Sequence, residues 1–393
     1  MAFPETRTGR VAWRVVGGVW RGLLLLTLAL APAVACQDVA ADAGQALPDA
    51  VEAFWPGEHV LELEHGGLER RALVRVPPPT PDAGAEESAP VARPVLLAFH
   101  GGGGHAGQFK QQVALEALAD AERFVLVFPD GSGPFARRLH TWNAGTCCGA
   151  AVAEGVDDVG FVRALVEALA RRTDIDRTRI YATGFSNGGM LAWRLAAEAP
   201  DLVAAVAPVG GGLVTPIATA GPPVPVLHIH SVDDPRALYG GGLGPPFPLT
   251  DKRQQHPDMA AVLAAWAARD GLASEPVEVE TRTRDGHTAT RLEWRPAAPS
   301  QDGGDGGDGG EAGEAGTAGN AARPEAARGL LVHWRLTGAG HAWPGAVGSG
   351  RERIAGPATS VLDANREIWD FVSRFRRVPT PPSTPDESDA ARR

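Results

Sequence analysis

Lysine is almost missing from this chain of 393 residues: Lys110 and Lys252 are the only two, and arginine supplies every other base. The formal net charge is -10 and the basic residues are scattered, which argues against the concentrated positive face that nucleic-acid binding requires. Cysteine is as scarce, three in all, and no grouping of His, Cys and Asp has the spacing of a metal site, so the sequence calls for no metal and no cofactor. The apolar run Leu23–Ala31 is too short for a membrane span. What remains, 44% hydrophobic and 21% charged residues, suits one large globular domain with appendages.

The first appendage is a targeting segment. Arg7, Arg10, Arg14 and Arg21 precede the apolar run, and Ala33-Val34-Ala35 forms an A-x-A cleavage site, so residues 1–35 read as a signal peptide. Cys36, directly after that site, resembles the lipidated cysteine of a bacterial lipoprotein. That pattern usually has leucine three residues earlier, where this chain has Ala33. Lipid anchoring at Cys36 and free secretion both stay open, and the anchor is the only membrane contact expected. Residues 36–54 are small, polar and acidic and read as a flexible tether.

From residue 55 to 377 the pattern is that of a folded domain. Two alternating runs, His59–His65 and Arg71–Val76, flank Gly66-Gly67 as an antiparallel hairpin. Buried strands at Pro94–Phe99, Phe124–Phe128, Arg179–Thr183, Leu202–Ala207, Val224–His230 and Leu330–Leu336 alternate with helical stretches at Gln108–Glu122, Asp157–Arg171, Met190–Glu198 and Met259–Arg269. Pro276–Arg284 and Thr288–Arg295 read as a second hairpin, and Leu362–Phe375 as a closing amphipathic helix. The fold class is α/β: a mostly parallel central sheet with helices on both faces and an N-terminal antiparallel hairpin. Residues 299–328 interrupt it with a Gly/Asp-rich insert that hints at a calcium β-roll but lacks the apolar residue each such turn must bury; it reads as a flexible acidic loop. Residues 378–393 read as a disordered tail.

The stretch Arg179–Met190 organises the rest. A short strand runs into Gly184-Phe185-Ser186-Asn187-Gly188 and then into a helix, the context that a nucleophile elbow requires. A serine hydroxyl is a weak nucleophile at its own pKa and needs a base oriented by a carboxylate. In an α/β-hydrolase these follow the serine in the order acid, then histidine. Asp233 and Asp234 stand just past a strand end, and His341 lies in a Gly-rich loop after the last strand. Asp234 precedes Pro235, which restricts its backbone to extended conformations and limits how the carboxylate is aimed. Asn187 N–H and Gly102 N–H, the latter in His100-Gly-Gly-Gly-Gly104, are the candidate oxyanion-hole donors. His228 and His230, inside a strand, read as core or supporting residues. His105, after the glycine run, is placed where it could reach the pocket.

These motifs occur with Trp142-Asn-Ala-Gly-Thr-Cys-Cys-Gly149, Val156-Asp-Asp-Val-Gly-Phe161 and Gly340-His-Ala-Trp-Pro-Gly345 in an order that resembles the secreted polyhydroxybutyrate depolymerase/feruloyl esterase family of α/β-hydrolases. The likeness spans roughly residues 56–376, the acidic insert excepted. It implies an exported serine esterase with Ser186 as nucleophile, Asp234 as acid and His341 as base, acting on a small or oligomeric ester, hydroxybutyrate-type or a feruloyl or acetyl ester of polysaccharide. The chain departs from the family at Ser231-Val232, where Gly-Thr is usual, and at Ala342, where Thr is usual. The family's paired cysteines, here Cys147 and Cys148, imply a vicinal disulfide. Trp142 and Trp343 are candidates for the lining of an acyl or aromatic pocket, with ordinary packing the alternative. A binding lipoprotein without activity and a serine peptidase of the same fold are the rival readings.

Overall fold

The computed structural model describes residues 52–79, 92–135, 138–218, 221–247, 251–296, 330–346 and 352–378. The expected signal peptide with Cys36, nearly all of the tether, the acidic insert and the tail beyond residue 378 lie outside these. Phe54, at the last position of the expected tether, stacks on His59 with ring centroids 4.3 Å apart and donates its N–H to the Arg172 carbonyl.

The N-terminal hairpin forms as its alternation predicts, from β1 (Gly57–His65) and β2 (Leu68–Val76). β3 (Arg93–Phe99) follows, then α1 (Ala106–Val113), α2 (Glu116–Glu122) and β4 (Val125–Pro129). One helix over Gln108–Glu122 is expected; two form, because Ala114 turns left-handed at φ 48° and ends the first. No glycine marks that stop, so the sequence conceals it.

α3 (Gly149–Ala153) and α4 (Asp158–Ala170) lead to β5 (Ile175–Phe185), α5 (Asn187–Glu198) and β6 (Ala205–Val209). Asp157 caps α4 by accepting the Gly160 N–H at 2.8 Å. β7 (Val226–Ser231) is followed by a two-stranded ribbon of β8 (Gly240–Leu243) and β9 (Gln255–Asp258), the first strand lying in the Gly/Pro-rich residues 240–248. β8 is Gly-Gly-Gly-Leu and carries no alternation to betray it. Then come α6 (Met259–Arg269), the hairpin β10 (Val277–Arg284) and β11 (His287–Trp294), β12 (Leu331–Thr337), α7 (Glu352–Ala355) and α8 (Ala364–Val372).

Ten strands form one sheet in the order β1-β2-β4-β3-β5-β6-β7-β12-β11-β10. The six central strands, β4 to β12 in that order, run parallel, and an antiparallel hairpin closes each edge. Strands buried on both faces need apolar side chains at successive positions, which explains runs such as Val95–Phe99. One core layer packs Phe161, Leu191, Trp193 and Trp266 against the sheet; the other packs Phe109, Ile368 and Phe371. With the strands parallel, the segments after β3, β4, β5, β6, β7 and β12 all emerge at the same sheet edge. Every candidate catalytic residue is on one of those segments.

Candidate active site

The turn from β5 into α5 is tight. Ser186 sits at φ 56° and ψ -120°, a conformation that costs an L-residue about 1–3 kcal/mol unless the surroundings impose it. They do: its N–H donates to the Val209 carbonyl at 2.8 Å, and its carbonyl accepts the Met190 N–H at 2.9 Å. A methyl group on Gly184 would lie 2.5 Å from the Gly188 backbone, and one on Gly188 would lie 2.2 Å from the Phe99 carbonyl. Only glycine fits at either place, and that close approach lifts the serine clear of the sheet.

Asp234 and His341 meet at the same sheet edge, although 107 positions separate them in the chain. Asp234 Oδ2 accepts from His341 Nδ1 at 2.6 Å, and Oδ1 accepts the N–H groups of Arg236 at 2.7 Å and Ala237 at 2.8 Å. The carboxylate is buried, with 4% of its surface exposed. Burial opposes its ionisation, but the charge of His341 and the hydrogen bonds from His230 and His341 outweigh burial and hold the carboxyl well below the usual carboxylate range. Asp233 turns away and accepts the Gly338 N–H at 2.7 Å, so it ties two loops together. The His341 ring packs on Phe185, the residue before the serine, with centroids 4.6 Å apart. Among the described residues neither Ser186 Oγ nor His341 Nε2 has a hydrogen-bond partner, so the two are not bonded to each other here.

Four segments meet around the candidate oxyanion donors. Gly103 N–H donates to the His140 carbonyl at 2.7 Å and Gly104 N–H to the Gly101 carbonyl at 3.0 Å. Gly102 N–H and Asn187 N–H are bonded to no backbone group among the described residues. Gly102 packs next to Asn187: a methyl group on it would lie 3.6 Å from Asn187 Cβ. The Asn187 side chain has a task the sequence does not reveal. It clasps the Trp142 backbone from both sides, with Oδ1 accepting Trp142 N–H at 2.7 Å and Nδ2 donating to the Trp142 carbonyl at 3.0 Å. Trp142 Nε1 in turn donates to the His100 carbonyl at 2.9 Å. His100 completes the brace, accepting the Gly131 N–H at Nε2 and donating from Nδ1 to the Gly101 carbonyl. Burial lowers its pKa to about 4, so the ring stays neutral and Nε2 remains an acceptor.

The structure places both tryptophans differently from a pocket lining. Trp142 has no exposed surface, and Trp343 has 2% and donates to Asn365 Oδ1 at 3.0 Å. Both are packing residues, because a side chain closed over by its neighbours has no face left for a ligand. His105 caps α1 by accepting the Gln108 N–H at 3.4 Å instead of reaching the pocket. Cys147 and Cys148 are joined as adjacent residues, with Cys147 Sγ 4.0 Å from Asn187 Nδ2.

His100, Asp130 and His140 bring ligand-type atoms within 4.8 Å of one another, a grouping that the sequence spacing does not signal. These atoms are only partly available. His100 uses both ring nitrogens, and Asp130 accepts from the Ala106 N–H at 2.6 Å and Arg71 at 3.2 Å. With His100 engaged at both nitrogens, His140 Nδ1 and the spare lone pairs of Asp130 leave two residues, short of the three that a protein metal site uses.

A parallel sheet wound on both sides by helices, with a serine elbow after β5 and an Asp–His pair at the same edge, is the α/β-hydrolase fold. The chain belongs to the esterase PHB depolymerase family, whose sequence profile matches residues 81–280, and it is a carboxylic ester hydrolase. That match takes in Ser186 and Asp234 and ends before His341. The putative esterase NocK of Nocardia uniformis subsp. tsuyamanensis is 32% identical over 72% of this chain and 75% of its own length. Feruloyl esterase B of Piromyces equi is 31% identical over 47% of this chain, which spans about a third, 34%, of that protein. Among solved structures, the acetyl xylan esterase from Aspergillus awamori has a TM-score of 0.48 at 11% identity, covering 80% of this chain and 99% of its own. Among the described residues no helix is long and apolar enough to cross a membrane.

Proposed function

We propose that the chain is an exported serine esterase that works through an acyl-serine intermediate. The observation that carries this reading is the 2.6 Å contact of His341 Nδ1 with Asp234 on the ring that packs against the residue preceding Ser186. His341 Nε2 takes the Ser186 hydroxyl proton as Oγ bonds to the ester carbonyl carbon. The carbonyl electrons move onto oxygen, which lies against Gly102 N–H and Asn187 N–H. The carbon–oxygen bond to the alcohol then breaks, and the leaving alkoxide takes the proton back from Nε2. A water repeats the sequence with His341 as base, releasing the acid and restoring Ser186. Throughout, Asp234 fixes the imidazole tautomer with hydrogen on Nδ1 and stabilises the imidazolium.

The substrate class follows from the family: hydroxybutyrate-type oligomers, or feruloyl or acetyl esters carried on polysaccharide. Export rests on the N-terminal Arg-rich, apolar and Ala-x-Ala pattern, with Cys36 as a lipid anchor or as the first residue of a free protein. The test is stoichiometric labelling of Ser186 by a fluorophosphonate, together with a burst of p-nitrophenol from an aryl ester. Peptide mapping that finds the label on any other residue overturns the assignment. Turnover on acetyl, feruloyl and hydroxybutyrate esters then ranks the substrates.

A further inference from the structure

Beneath the acid turn lies a packed group of imidazoles that the hydrolytic steps above do not use. His230, on β7, is buried, and its Nε2 lies 2.8 Å from the Ala237 carbonyl and 3.2 Å from Asp234 Oδ2. Both neighbours are acceptors, so Nε2 carries the hydrogen and donates to the two of them. The groups facing His230 come from every element around it. His228, two residues back on β7, meets it edge-on at 5.3 Å, and Tyr239 at 5.5 Å. His333 on β12 stacks on His228 at 5.0 Å and takes the Tyr239 hydroxyl at 3.0 Å. Burial lowers the pKa of His228, His333 and His256, the last on β9, so these three stay neutral. The charges in this neighbourhood are then Asp234, His341 when protonated, Arg335, which pairs with His230 in register on β12 and acts on His333 and Tyr239, and Asp258, which acts on Tyr239.

We infer that His230 is a positioning residue for the ester-hydrolysing centre: its Nε2–H bridges the Ala237 carbonyl and Asp234 Oδ2, and so keeps that oxygen on His341 Nδ1. The inference rests on the reading of Ser186, His341 and Asp234 as the triad. Its physical basis is the division of labour on one carboxylate. Oδ1 is fixed by two backbone N–H groups of its own turn. Oδ2 has only imidazole donors, and His341 is on a separate loop that must itself be oriented. A second donor from a rigid central strand fixes Oδ2 independently of His341. The same hydrogen closes the turn, because Ala237 supplies both a donor to Oδ1 and the carbonyl that His230 holds. His230 Nδ1 is buried without a partner, so the ring's useful contact is at Nε2 alone.

The test compares His230→Leu, which keeps bulk and removes the donor, with His230→Gln, whose terminal amide donates from nearly the Nε2 position. A lost hydrogen bond to a charged group predicts that His230→Leu lowers kcat by about ten- to a hundredfold with KM within about twofold. Removing a donor concentrates charge on Oδ2 and stabilises the imidazolium, so the acid limb of the kcat/KM profile moves to higher pH. His230→Gln should return kcat to within about threefold of the parent and restore the limb. His230→Asn, whose shorter amide falls short of Asp234, serves as a second variant if the leucine chain does not fold, and it should behave as donor-less. A folded Leu or Asn variant with unchanged kcat and an unmoved acid limb overturns the inference. So does a Gln variant no better than Asn. Asp234→Asn, measured alongside, separates the two ideas: an active Asp234→Asn enzyme sinks the triad, whereas an inactive one beside a normal His230→Leu enzyme sinks only the role of His230.

Discussion

The turn of the proposed acid and the loop of the proposed oxyanion donor stand at the same sheet edge, but the Asp234 carboxylate and that loop are held in opposite ways. In residues 231–237 the Asp234 carboxylate itself is held mostly from close by, at Arg236 and Ala237 of its own turn and His230 of the strand just before, while Ser231, Val232 and Asp233 tie the turn to Leu336, Gly338 and Ala339. Residues 100–104 are fixed largely from outside, by Trp142, Gly131 and His140, with Asn187 holding Trp142 in turn. A locally closed turn keeps its shape when distant residues change. A loop braced across the fold is only as well placed as its braces. Damage to the acid turn should therefore show in single residues, and damage to the oxyanion loop should spread from residues that never touch substrate.

The largest expected effect belongs to neither region. Ser186→Ala should lower kcat by about 10⁴-fold or more and leave the melting temperature near that of the parent, because the elbow only presents the hydroxyl. On the acid turn, Asp234→Asn should cost about 10⁴-fold in kcat, whereas Asp233→Asn, whose amide oxygen still accepts the Gly338 N–H, should cost less than about tenfold. Steady-state rates on one aryl ester decide it, and the reverse ranking would move the acid by one residue. On the oxyanion loop, Trp142→Phe removes only the indole donor to the His100 carbonyl and keeps the packing. It should lower kcat by about tenfold with little change in KM, since a displaced oxyanion donor weakens transition-state binding alone. A Trp142→Phe enzyme with full kcat would show that the loop is held without its outer brace.

The smallest effect concerns pH and stability. Burial depresses the pKa of His100 to about 4 and of His333 to about 3, from an ordinary 6.5. Below pH 6.5 the unfolded chain binds protons at these sites while the folded chain does not, so stability falls as pH drops through that window. The slope is at most about 1.4 kcal/mol per pH unit for each histidine. Urea midpoints measured between pH 7 and 4 should fall steadily, and His333→Gln should flatten the trend. A flat parental profile would mean that these rings titrate freely.

The elements that the sequence makes legible are those whose determinants are adjacent. The elbow is readable because Gly184, Ser186 and Gly188 all act within one turn, and the hairpins because alternation and turn residues are neighbours. Asp233 and Asp234 are nearly symmetric in the sequence; the family resemblance, supported by Pro235 directly after it, points to Asp234. The split of the expected Gln108–Glu122 helix at Ala114 is not readable, since alanine carries no stop signal and the left-handed turn is imposed by packing. Trp142 shows the limit most sharply. A tryptophan beside a candidate site is equally a ligand platform or a packing residue, and burial, which depends on what folds over it, makes it the latter.

By itself, the sequence determined the strand–turn–helix order, the parallel sheet, and which serine, aspartate and histidine stand at strand ends. These follow from period, glycine placement and chain order, all properties of neighbouring residues. Only the tertiary structure decided that His230 lies on Asp234, that Asn187 clasps Trp142, and that the tryptophan braces the oxyanion loop. Those contacts depend on the register of strands and on side-chain direction across the sheet, and a one-residue slip of any strand would turn its side chains to the opposite face.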